Sequence, residues 1–352
     1  MVFVMAGGGT GGHVIPSLAV ARELQAKGHE VFFIGTQQGY EGRLVPESGF
    51  RIEWIEIGGL MRVGWKKSLK TLMQIPMSVV RCWRLLVGVS GVFSMGGYVA
   101  APVMIAAWMR RIPMVIMEPN AMPGLTNRRF GKLARKVLVS FEEAADHFPP
   151  GHVEITGLPV RREFFEAKAK PVEGRLTVLV TGGSQGSRRL NQAVEEAWPL
   201  LAAMQTGVYL IHQTGKSDYD AVLTNFRAAR VAGQVLPFIA DMPEAFSQAD
   251  VVVCRAGAGT VSELAAAGKP SILVPFPFAA DDHQMHNAKA LEKIGAAVVI
   301  RDQEMSGSRL ARELAKLNAD TLESMGRAAR TFAKPGAAKR AAEALEEMAA
   351  KR

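Results

Sequence analysis

Three glycine-rich segments carry most of the chemistry that this sequence can do. The first, Gly7 to Gly12, has five glycines in six positions and precedes His13; the second is Thr181 to Ser187; the third follows Cys254. Each segment comes after a short apolar run and before a helical pattern, so its backbone N–H groups lie at a helix N-terminus. Phosphate groups bind at such termini. The sequence therefore predicts phosphate or diphosphate sites, with the Ser184 hydroxyl as a further donor in the second.

Polar side chains beside these segments add acid–base and sugar-binding chemistry. His13 opens the first helix, where an imidazole is suited to act as a general base near neutral pH, or else only caps that helix. Glu263 lies one turn into the third helix, where it can accept two hydrogen bonds from a ribose diol, or else only stabilises the helix dipole. The segment from Asp281 to Gln284 suits the recognition of sugar hydroxyls, and its alternative is a bare surface turn.

Several enzyme classes fit poorly. Gly7, Gly9 and Gly12 match the spacing of a dinucleotide fingerprint, but the second strand ends in IGTQQ, without the carboxylate that an NAD site places there. The second segment lacks the lysine of a Walker loop, and no pair of carboxylates within one motif indicates a glycosidase. Cys82 and Cys254 give neither a disulfide framework nor zinc spacing, which favours a reducing compartment. We expect no metal and no cofactor.

The elements that must position these groups alternate along the chain as in an α/β protein. Apolar runs rich in β-branched residues alternate with helix-length patterns, which is typical of parallel sheets covered by helices. The predicted strands are 2–5, 31–34, 52–55, 92–94, 114–117, 137–139 and 153–155 in the first half, and 176–180, 208–211, 235–238, 251–253, 271–274 and 297–300 in the second. Residues 2–35 and 176–215 repeat one βαβ design, which indicates two doubly wound parallel-sheet domains facing each other across a cleft.

We expect the first domain to span 1–160 and the second 161–335, with a charged linker at 159–175. A length of 352 residues suits two such domains. The terminal helix, 336–352, can return to the first domain in folds of this kind.

A basic and apolar stretch distinguishes the first half. No acidic residue occurs between Glu56 and Glu118, and Lys and Arg there are interleaved with Trp, Leu and Met. This mixture predicts contact with an anionic membrane surface; the alternative is an amphipathic helix packed inward. The residues expected to make the contact are Trp65, Lys66, Lys67 and Lys70. Pro76 is expected to break a single long helix there. No run reaches the roughly 18 apolar residues of a membrane span, and neither a signal peptide nor a nucleic-acid-binding module is expected.

Taken together, five motifs resemble the MurG family of bacterial glycosyltransferases, which convert lipid I to lipid II in peptidoglycan synthesis. The motifs are GGGTGGHVIPSLAVA, EPNAMPGLTNR, TGGSQGSRRLN, RAGAGTVSELAAAGKP and PFPFAADDHQMHNA, within residues 2–300. The resemblance implies the GT-B fold, with lipid acceptor in the N-terminal domain and UDP-N-acetylglucosamine (UDP-GlcNAc) in the C-terminal one. It also implies a metal-independent, inverting transfer to the 4-hydroxyl of N-acetylmuramic acid.

The resemblance also implies roles for single residues of the donor site. The diphosphate meets the Gly182-Gly183 turn and Ser184. The uracil is held by backbone groups near Ile239, and Glu263 binds the ribose diol. The helix terminus beneath the phosphates is formed by Ala258, Gly259, Thr260, Val261 and Ser262.

Further residues are implied around the transferred sugar. Gln284 and His283 recognise the hydroxyls of GlcNAc, and Arg161 lies close to the donor. Apart from the resemblance, Arg255 is expected to help the loop amides meet the charge that develops on UDP. From the first domain, the residues expected to reach donor or acceptor are Thr10, Gly11, Gly12 and Asn120. His13 is the preferred catalytic base, and Glu118 is the alternative.

Two departures from the family pattern are present. Leu158 stands where the family has Asn before its arginine, and Pro119 stands where it has Gln. A UDP-GlcNAc 2-epimerase of the same fold, a nicotinamide oxidoreductase and a non-catalytic nucleotide-sugar sensor are the rival functions. The resemblance further implies a peripheral protein on the cytoplasmic face of the plasma membrane, with cell-wall synthesis and division proteins as candidate partners.

Overall fold

The computed structural model describes residues 1–58, 65–167, 174–204, 207–229 and 231–351, without side chains for 65–73. The chain divides into two compact units, one formed by Met1–Val160 with Gly336–Arg352 and the other by Arg161–Pro335. In the described residues each unit contains one parallel β-sheet with helices.

The described residues of unit 1 form a sheet of seven strands in the order β3-β2-β1-β4-β5-β6-β7. Its strands are β1 Val2–Gly7, β2 Glu30–Gly35, β3 Arg51–Trp54, β4 Gly91–Gly96, β5 Met114–Glu118, β6 Lys136–Val139 and β7 Val153–Ile155. Its helices are α1 Gly11–Ala26, α2 Glu41–Glu47, α3 Trp65–Leu85, α4 Ala100–Met109, α5 Leu125–Phe130 and the last helix of the chain, α14 Ala337–Ala350, with a 3₁₀ turn at Glu142–His147.

In unit 2, the part of the chain that the structure describes forms a sheet of six strands in the order β10-β9-β8-β11-β12-β13. Its strands are β8 Arg175–Thr181, β9 Gly207–Gln213, β10 Gly233–Leu236, β11 Val251–Cys254, β12 Ser271–Leu273 and β13 Ala297–Val299. Its helices are α6 Arg162–Glu166, α7 Arg188–Ala202, α8 Tyr219–Ala229, α9 Met242–Gln248, α10 Ala258–Ala267, α11 His283–Lys293, α12 Gly307–Ala315 and α13 Ala319–Phe332, with 3₁₀ turns at Ala280–Asp282 and Asp302–Glu304.

The strand order reverses at one point in each sheet. In unit 1, Val4 of β1 pairs with Phe32 of β2 on one side and Val92 of β4 on the other. In unit 2, Val180 of β8 pairs with His212 and Val253. Ligands of open α/β sheets bind outside the carboxyl ends of the strands at this reversal. A ligand site is therefore expected at the loops after β1 and β4 in unit 1, and at those after β8 and β11 in unit 2.

All thirteen strands predicted from the sequence are present, with ends within two residues of the predicted ones. The reason is that both faces of each sheet are covered, so central strands such as Val251–Cys254 are buried along their whole length. Strands of this kind are continuous apolar runs, which are easy to recognise. The structure confirms the prediction of two doubly wound parallel sheets.

The structures of α3 and of the predicted linker differ from what their sequence patterns predict. Pro76 does not interrupt the helix, because α3 runs unbroken from Trp65 to Leu85. A proline removes one backbone hydrogen bond from a helix. Here that loss is outweighed by packing against the rest of unit 1, since Cys82 is buried and Ser78 Oγ donates to the Glu56 carbonyl (2.7 Å).

Part of the predicted linker is helical and packed in unit 2. Residues Arg162–Glu166 form α6, and Phe164, fully buried, makes an edge-to-face contact with Phe246, at 5.1 Å between ring centroids. Residues 168–173 of that linker lie outside the described residues.

The terminal helix α14 packs against α1, β4 and β5 of unit 1. Leu345 is completely buried there, and Arg340 pairs with Glu154. Glu346 accepts hydrogen bonds from Lys27 (2.5 Å) and from His29 Nε2 (2.7 Å). Unit 1 therefore contains residues from both ends of the chain.

Candidate active site

The first glycine segment turns from β1 into α1. Gly9 adopts a left-handed conformation (φ = 84°), which suits glycine. The helix begins after Thr10, which is exposed and caps α1 without a side-chain hydrogen bond. The first N–H group of α1 that hydrogen-bonds to a backbone carbonyl is that of His13, which donates to the Thr10 carbonyl (3.1 Å). The N–H groups of Gly11 and Gly12 therefore have no acceptor among the described residues. Such amides are suited to an anion.

His13 lies half-buried on this turn. Its Nδ1 is 3.2 Å from the carbonyl oxygen of Gly8. A Cβ on Gly97, in the loop after β4, would be 3.3 Å from the same nitrogen. The imidazole thus lies between the loops that follow β1 and β4, at the point where the strand order reverses.

A buried carboxylate beneath the loop escaped the sequence analysis. The Glu41 side chain, on an almost completely buried residue, accepts hydrogen bonds from the Gly9 amide (2.8 Å), the Thr36 amide (3.1 Å) and the Thr36 hydroxyl (2.7 Å). Glu41 comes six positions after Gly35, the last residue of β2, and lies on α2 rather than at the end of the strand. An acidic residue closely preceded by Gly39 is the only local indication of this arrangement.

Glu118, at the end of β5, is also buried and fully engaged. It accepts hydrogen bonds from the Asn120 amide (2.9 Å), Asn120 Nδ2 (3.2 Å), the Gly124 amide (3.1 Å) and Asn127 Nδ2 (2.8 Å). Burial raises the pKa of Glu118 to about 7, against these hydrogen bonds, which lower it. Both carboxylate oxygens of Glu118 already accept hydrogen bonds from protein donors. This geometry suits a residue that holds the loop carrying Asn120 better than one that contacts the hydroxyl of a substrate.

In unit 2 the second glycine segment is exposed at Gly183 and Ser184 and is held from below. Gln213, at the end of β9, donates to the Gly183 carbonyl (2.9 Å) and to Thr181 Oγ1 (3.1 Å). Its side-chain oxygen accepts from the Ile239 amide (2.8 Å). One amide side chain therefore joins the predicted diphosphate segment to the predicted uracil position. Because the Ile239 N–H already donates to Gln213, a ligand at the predicted uracil position would meet the Ile239 carbonyl rather than that N–H.

The third segment begins α10, and Gly257 caps it without a side-chain hydrogen bond. The first amide with a backbone partner is that of Val261, bonded to the Gly257 carbonyl (2.9 Å). The amides of the preceding helical residues have no acceptor among the described residues; they belong to Ala258, Gly259 and Thr260. The buried Ser262 hydroxyl has no partner there either. The helix terminus is thus suited to an anion.

Glu263 is half-buried, and no described residue hydrogen-bonds to its carboxylate. Burial raises the pKa of Glu263 to about 7, and the positive charge of Arg161 opposes this rise. Arg161 is exposed and its guanidinium lies 5.0 Å from the Phe164 ring centroid. A carboxylate whose two oxygens have no protein donor can accept from a vicinal diol.

The Arg255 guanidinium is hydrogen-bonded mainly to other groups of the protein. Its guanidinium donates to Asp302 (2.6 Å), to the carbonyls of Val274 (3.1 Å) and Pro275 (3.2 Å), and to Ser187 Oγ (2.7 Å). Ser187 in turn caps α7. This arrangement favours Arg255 as a residue that positions the second and third segments, rather than as a direct phosphate ligand.

The loop before α11 exposes polar groups. Asp281 and Asp282 both have φ = 51°, a left-handed conformation that is uncommon outside glycine and concentrates at functional sites. His283 Nδ1 is 2.7 Å from the Ala280 carbonyl. Gln284 accepts through Oε1 from the Phe276 amide (3.0 Å), which leaves its NH2 group for another partner.

The membrane residues predicted from the sequence lie on the first turns of α3. The structure describes the backbone of Trp65, Lys66, Lys67 and Lys70 as helical, and their side chains lie outside the described residues. Over the part of the chain that the structure describes, no helix is both long and apolar enough to span a bilayer. The same residues include no group of three His, Cys, Asp or Glu side chains that could hold a metal ion.

Comparison with known proteins assigns the family. Residues 3–139 match the Glycosyltransferase family 28 N-terminal domain, and residues 177–345 match the Glycosyltransferase family 28 C-terminal domain. The chain belongs to glycosyltransferase family 28. This membership confirms the resemblance drawn from the five motifs, and it makes the chain an enzyme of the glycosyltransferase class.

Relatives within family 28 align over nearly the whole chain. The UDP-N-acetylglucosamine--N-acetylmuramyl-(pentapeptide) pyrophosphoryl-undecaprenol N-acetylglucosamine transferase of Solibacter usitatus is 56% identical, covering 99% of this chain and 96% of its own. The transferase of the same name from Myxococcus xanthus is 40% identical, covering 99% and 93%.

Solved structures similar to this chain include a MurG and an epimerase. The crystal structure of Acinetobacter baumannii MurG is similar with a TM-score of 0.84 at 33% identity over 99% of both chains. A UDP-N-acetylglucosamine 2-epimerase from Listeria monocytogenes is similar with a TM-score of 0.71 at 12% identity, over 100% of this chain and 97% of its own. At that identity the second similarity shows a shared fold alone.

Proposed function

We propose that this chain transfers N-acetylglucosamine from UDP-GlcNAc to the 4-hydroxyl of the N-acetylmuramyl unit of lipid I, with inversion, giving lipid II and UDP. The observation that carries the proposal is the 56% identity over 99% of the chain to a transferase so named. The 2-epimerase alternative lacks comparable support, because its similarity extends to the fold only.

The donor is proposed to bind unit 2. The open amides that begin α10 suit the diphosphate, together with the exposed Gly183-Ser184 turn. Glu263, which has no protein hydrogen bond in the described residues, suits the ribose diol, and the Ile239 carbonyl suits the imide N–H of uracil. Charge that develops on UDP as the sugar leaves is then stabilised by fixed backbone dipoles.

Polar groups that suit a sugar or an acceptor hydroxyl are present on each unit. The Gln284 NH2 group and the His283 ring suit sugar hydroxyls, as does the left-handed Asp281-Asp282 loop. On unit 1, Thr10, Gly11, Gly12 and Asn120 are proposed to contact donor or acceptor. His13 is proposed to remove the proton of the acceptor hydroxyl, in preference to Glu118, whose oxygens are already filled.

The reaction is tested with radiolabelled UDP-GlcNAc and a short-chain lipid I analogue. We expect a β-linked disaccharide lipid and an equal amount of UDP. Labelled N-acetylmannosamine in the absence of acceptor would instead indicate an epimerase, NAD⁺ reduction an oxidoreductase, and donor binding without any product a sensor.

The base is tested with His13→Asn, using His147→Asn as the matched control because His147 is an exposed histidine of the same unit. Loss of a general base lowers the rate by about 10²- to 10⁴-fold. We expect that loss in kcat for His13→Asn, with UDP-GlcNAc affinity unchanged, and no change for His147→Asn. Near-full turnover by His13→Asn would exclude this residue as the base.

We further propose that unit 1 binds an anionic membrane surface from the cytoplasmic side, where wall-synthesis and division proteins would be its partners. Large apolar side chains are exposed on α3 and at the end of α4, among them Met77 (76% exposed) and Trp108 (55%). Exposed Arg81, Arg84 and Arg111 accompany them. Exposed apolar groups among cations are typical of peripheral binding.

Sedimentation with vesicles containing anionic lipid tests this contact. Each cation near such a surface contributes about 1 kcal/mol, so replacing Trp65, Lys66, Lys67 and Lys70 together is expected to weaken binding by roughly two orders of magnitude. Added salt is expected to weaken it as well. Leu200→Gln, which changes an exposed leucine of unit 2, is the control. Unchanged binding of the fourfold variant would show that this stretch does not contact lipid.

A further inference from the structure

A single peptide group joins two ionisable side chains in the first glycine segment. Its carbonyl, from Gly8, is 3.2 Å from Nδ1 of His13, and its N–H, from Gly9, donates to Glu41 Oε2 over 2.8 Å. The carboxylate and the imidazole therefore bind opposite ends of one amide dipole. The arrangement is similar to a carboxylate–histidine pair, except that one peptide group separates the carboxylate from the imidazole.

The surroundings of Glu41 are built to keep the carboxylate in this place. A Cβ at Gly8, Gly35 or Gly39 would overlap the Glu41 side chain, so three glycines from three different segments make room for it. Its partners, the Gly9 amide and the amide and hydroxyl of Thr36, are all donors. A carboxylate accepts from all of them, whereas an amide side chain would turn its own N–H groups toward at least one donor.

The hydrogen-bond directions determine the form of His13. A carbonyl oxygen can only accept, so Nδ1 carries the proton and the lone pair of the neutral ring lies on Nε2. The charge-assisted bond from the Gly9 amide to Glu41 polarises the peptide and makes the Gly8 carbonyl a better acceptor. We propose that Glu41 is a positioning residue, which fixes the tautomer and orientation of His13 through the Gly8–Gly9 peptide. Its effect on turnover rests on the proposed role of His13 as base.

The tautomer of His13 can be measured in the unaltered protein without any substrate. Histidine labelled with ¹⁵N, with the His13 resonances assigned by comparison with His13→Asn, distinguishes a protonated Nδ1 from a protonated Nε2. We expect Nδ1–H in the intact protein. A protonated Nε2 in the neutral ring would overturn the inference, whatever the enzymatic activity proves to be.

The second measurement compares Glu41→Gln with Glu47→Gln, an exposed carboxylate (61%) on the same helix. For Glu41→Gln we expect kcat to fall at least about tenfold, KM for UDP-GlcNAc to stay within about twofold, and His13 to show a mixture of tautomers. Glu47→Gln is expected to match the parent. The inference is overturned if Glu41→Gln keeps the parent kcat, or keeps the parent tautomer while losing turnover. Absence of transfer by the unaltered protein would instead refute the proposed function and leave the tautomer result standing.

Discussion

The stability of unit 2 is expected to depend on pH through His212, a buried residue of β9. Its Nε2 is 3.0 Å from Asn191 Oδ1, and Asn191 Nδ2 donates to the Thr214 carbonyl (3.0 Å) and to Asp218 (2.9 Å). Because Asn191 Oδ1 must accept, Nε2 carries the proton of the neutral ring. The other nitrogen, Nδ1, is buried with no partner in the described residues. Protonation would place a charge there, and burial lowers the pKa of His212 to about 4.

The sign and size of the effect follow from this shift in pKa. In the unfolded chain the pKa of His212 is near 6.5, so between pH 6.5 and 4 the unfolded state binds a proton that the folded state does not. The contribution to stability is constant above pH 6.5 and is lost as the pH falls. For these two pKa values the loss amounts to about 2 kcal/mol between pH 7.5 and 5, and to about 3 kcal/mol when complete.

Urea unfolding at pH 7.5 and pH 5, followed by the ¹⁹F resonance of fluorotryptophan at Trp198, measures this loss in unit 2, where Trp198 is the only tryptophan. His212→Gln, which can still donate to Asn191, is expected to show a decrease smaller by about 2 kcal/mol than the parent. His286→Gln, at an exposed histidine of the same unit, is expected to follow the parent. Equal decreases in the parent and in His212→Gln would refute the explanation from burial.

Three further predictions concern unit 1. Gly8→Ala should lower the free energy of unfolding by about 1–3 kcal/mol, because its Cβ would overlap the Glu41 side chain. Gly12→Ala, whose Cβ would make only an ordinary contact with Thr10 Oγ1 (3.9 Å), should unfold like the parent and yet transfer more slowly. At pH 8, above the pKa of about 7 of Glu118, Glu118→Gln should cost about 1–3 kcal/mol in thermal unfolding, since it turns an NH2 group toward N–H donors; an unchanged midpoint would contradict the four hydrogen bonds. Leu345→Ala should cost about 2–5 kcal/mol by the same measurement, and a loss under 1 kcal/mol would show that α14 contributes little to the core.

The strands were predictable because the relevant signal is local. A strand covered on both faces needs only a short run of apolar, β-branched residues, and Val251–Cys254 and Met114–Glu118 are of this kind. Where the deciding contact is distant in sequence, the local pattern was misleading or silent. Burial of Phe164 depends on Phe246, more than 80 positions later, so α6 looked like a charged linker.

Within α3 the local rule for proline gave the wrong answer. The rule takes account of one lost hydrogen bond and a steric clash. It takes no account of the burial of Cys82, which lies on this helix, or of Leu86, which directly follows it. Packing against the rest of unit 1 supplied the larger contribution.

The candidate site was predictable in its backbone and less so in its side chains. The three glycine segments and their helices were recognisable from the chain alone. Gln213, Glu41 and Asp302 were not, because each acts on a segment far from its own position: the first joins two loops, the second supports Gly9, and the third anchors Arg255. A polar residue that ends a buried strand, as Gln213 ends β9, is the kind of signal that could have found such a group.

The glycines of these segments form two groups: those that the fold itself requires and those that it does not explain. Gly7 to Gly9 are explained by the fold, since a side chain there would crowd Met95, overlap Glu41 or meet the Tyr98 ring. Gly11, Gly12, Gly257 and Gly259 are different: none has a left-handed backbone, and a Cβ on any of them would make at most an ordinary contact. Each of these four lies beside the first amides of a helix. The fold gives no reason for glycine there, and this supports the proposal that a diphosphate or sugar lies against each helix terminus, where a side chain would be in its way.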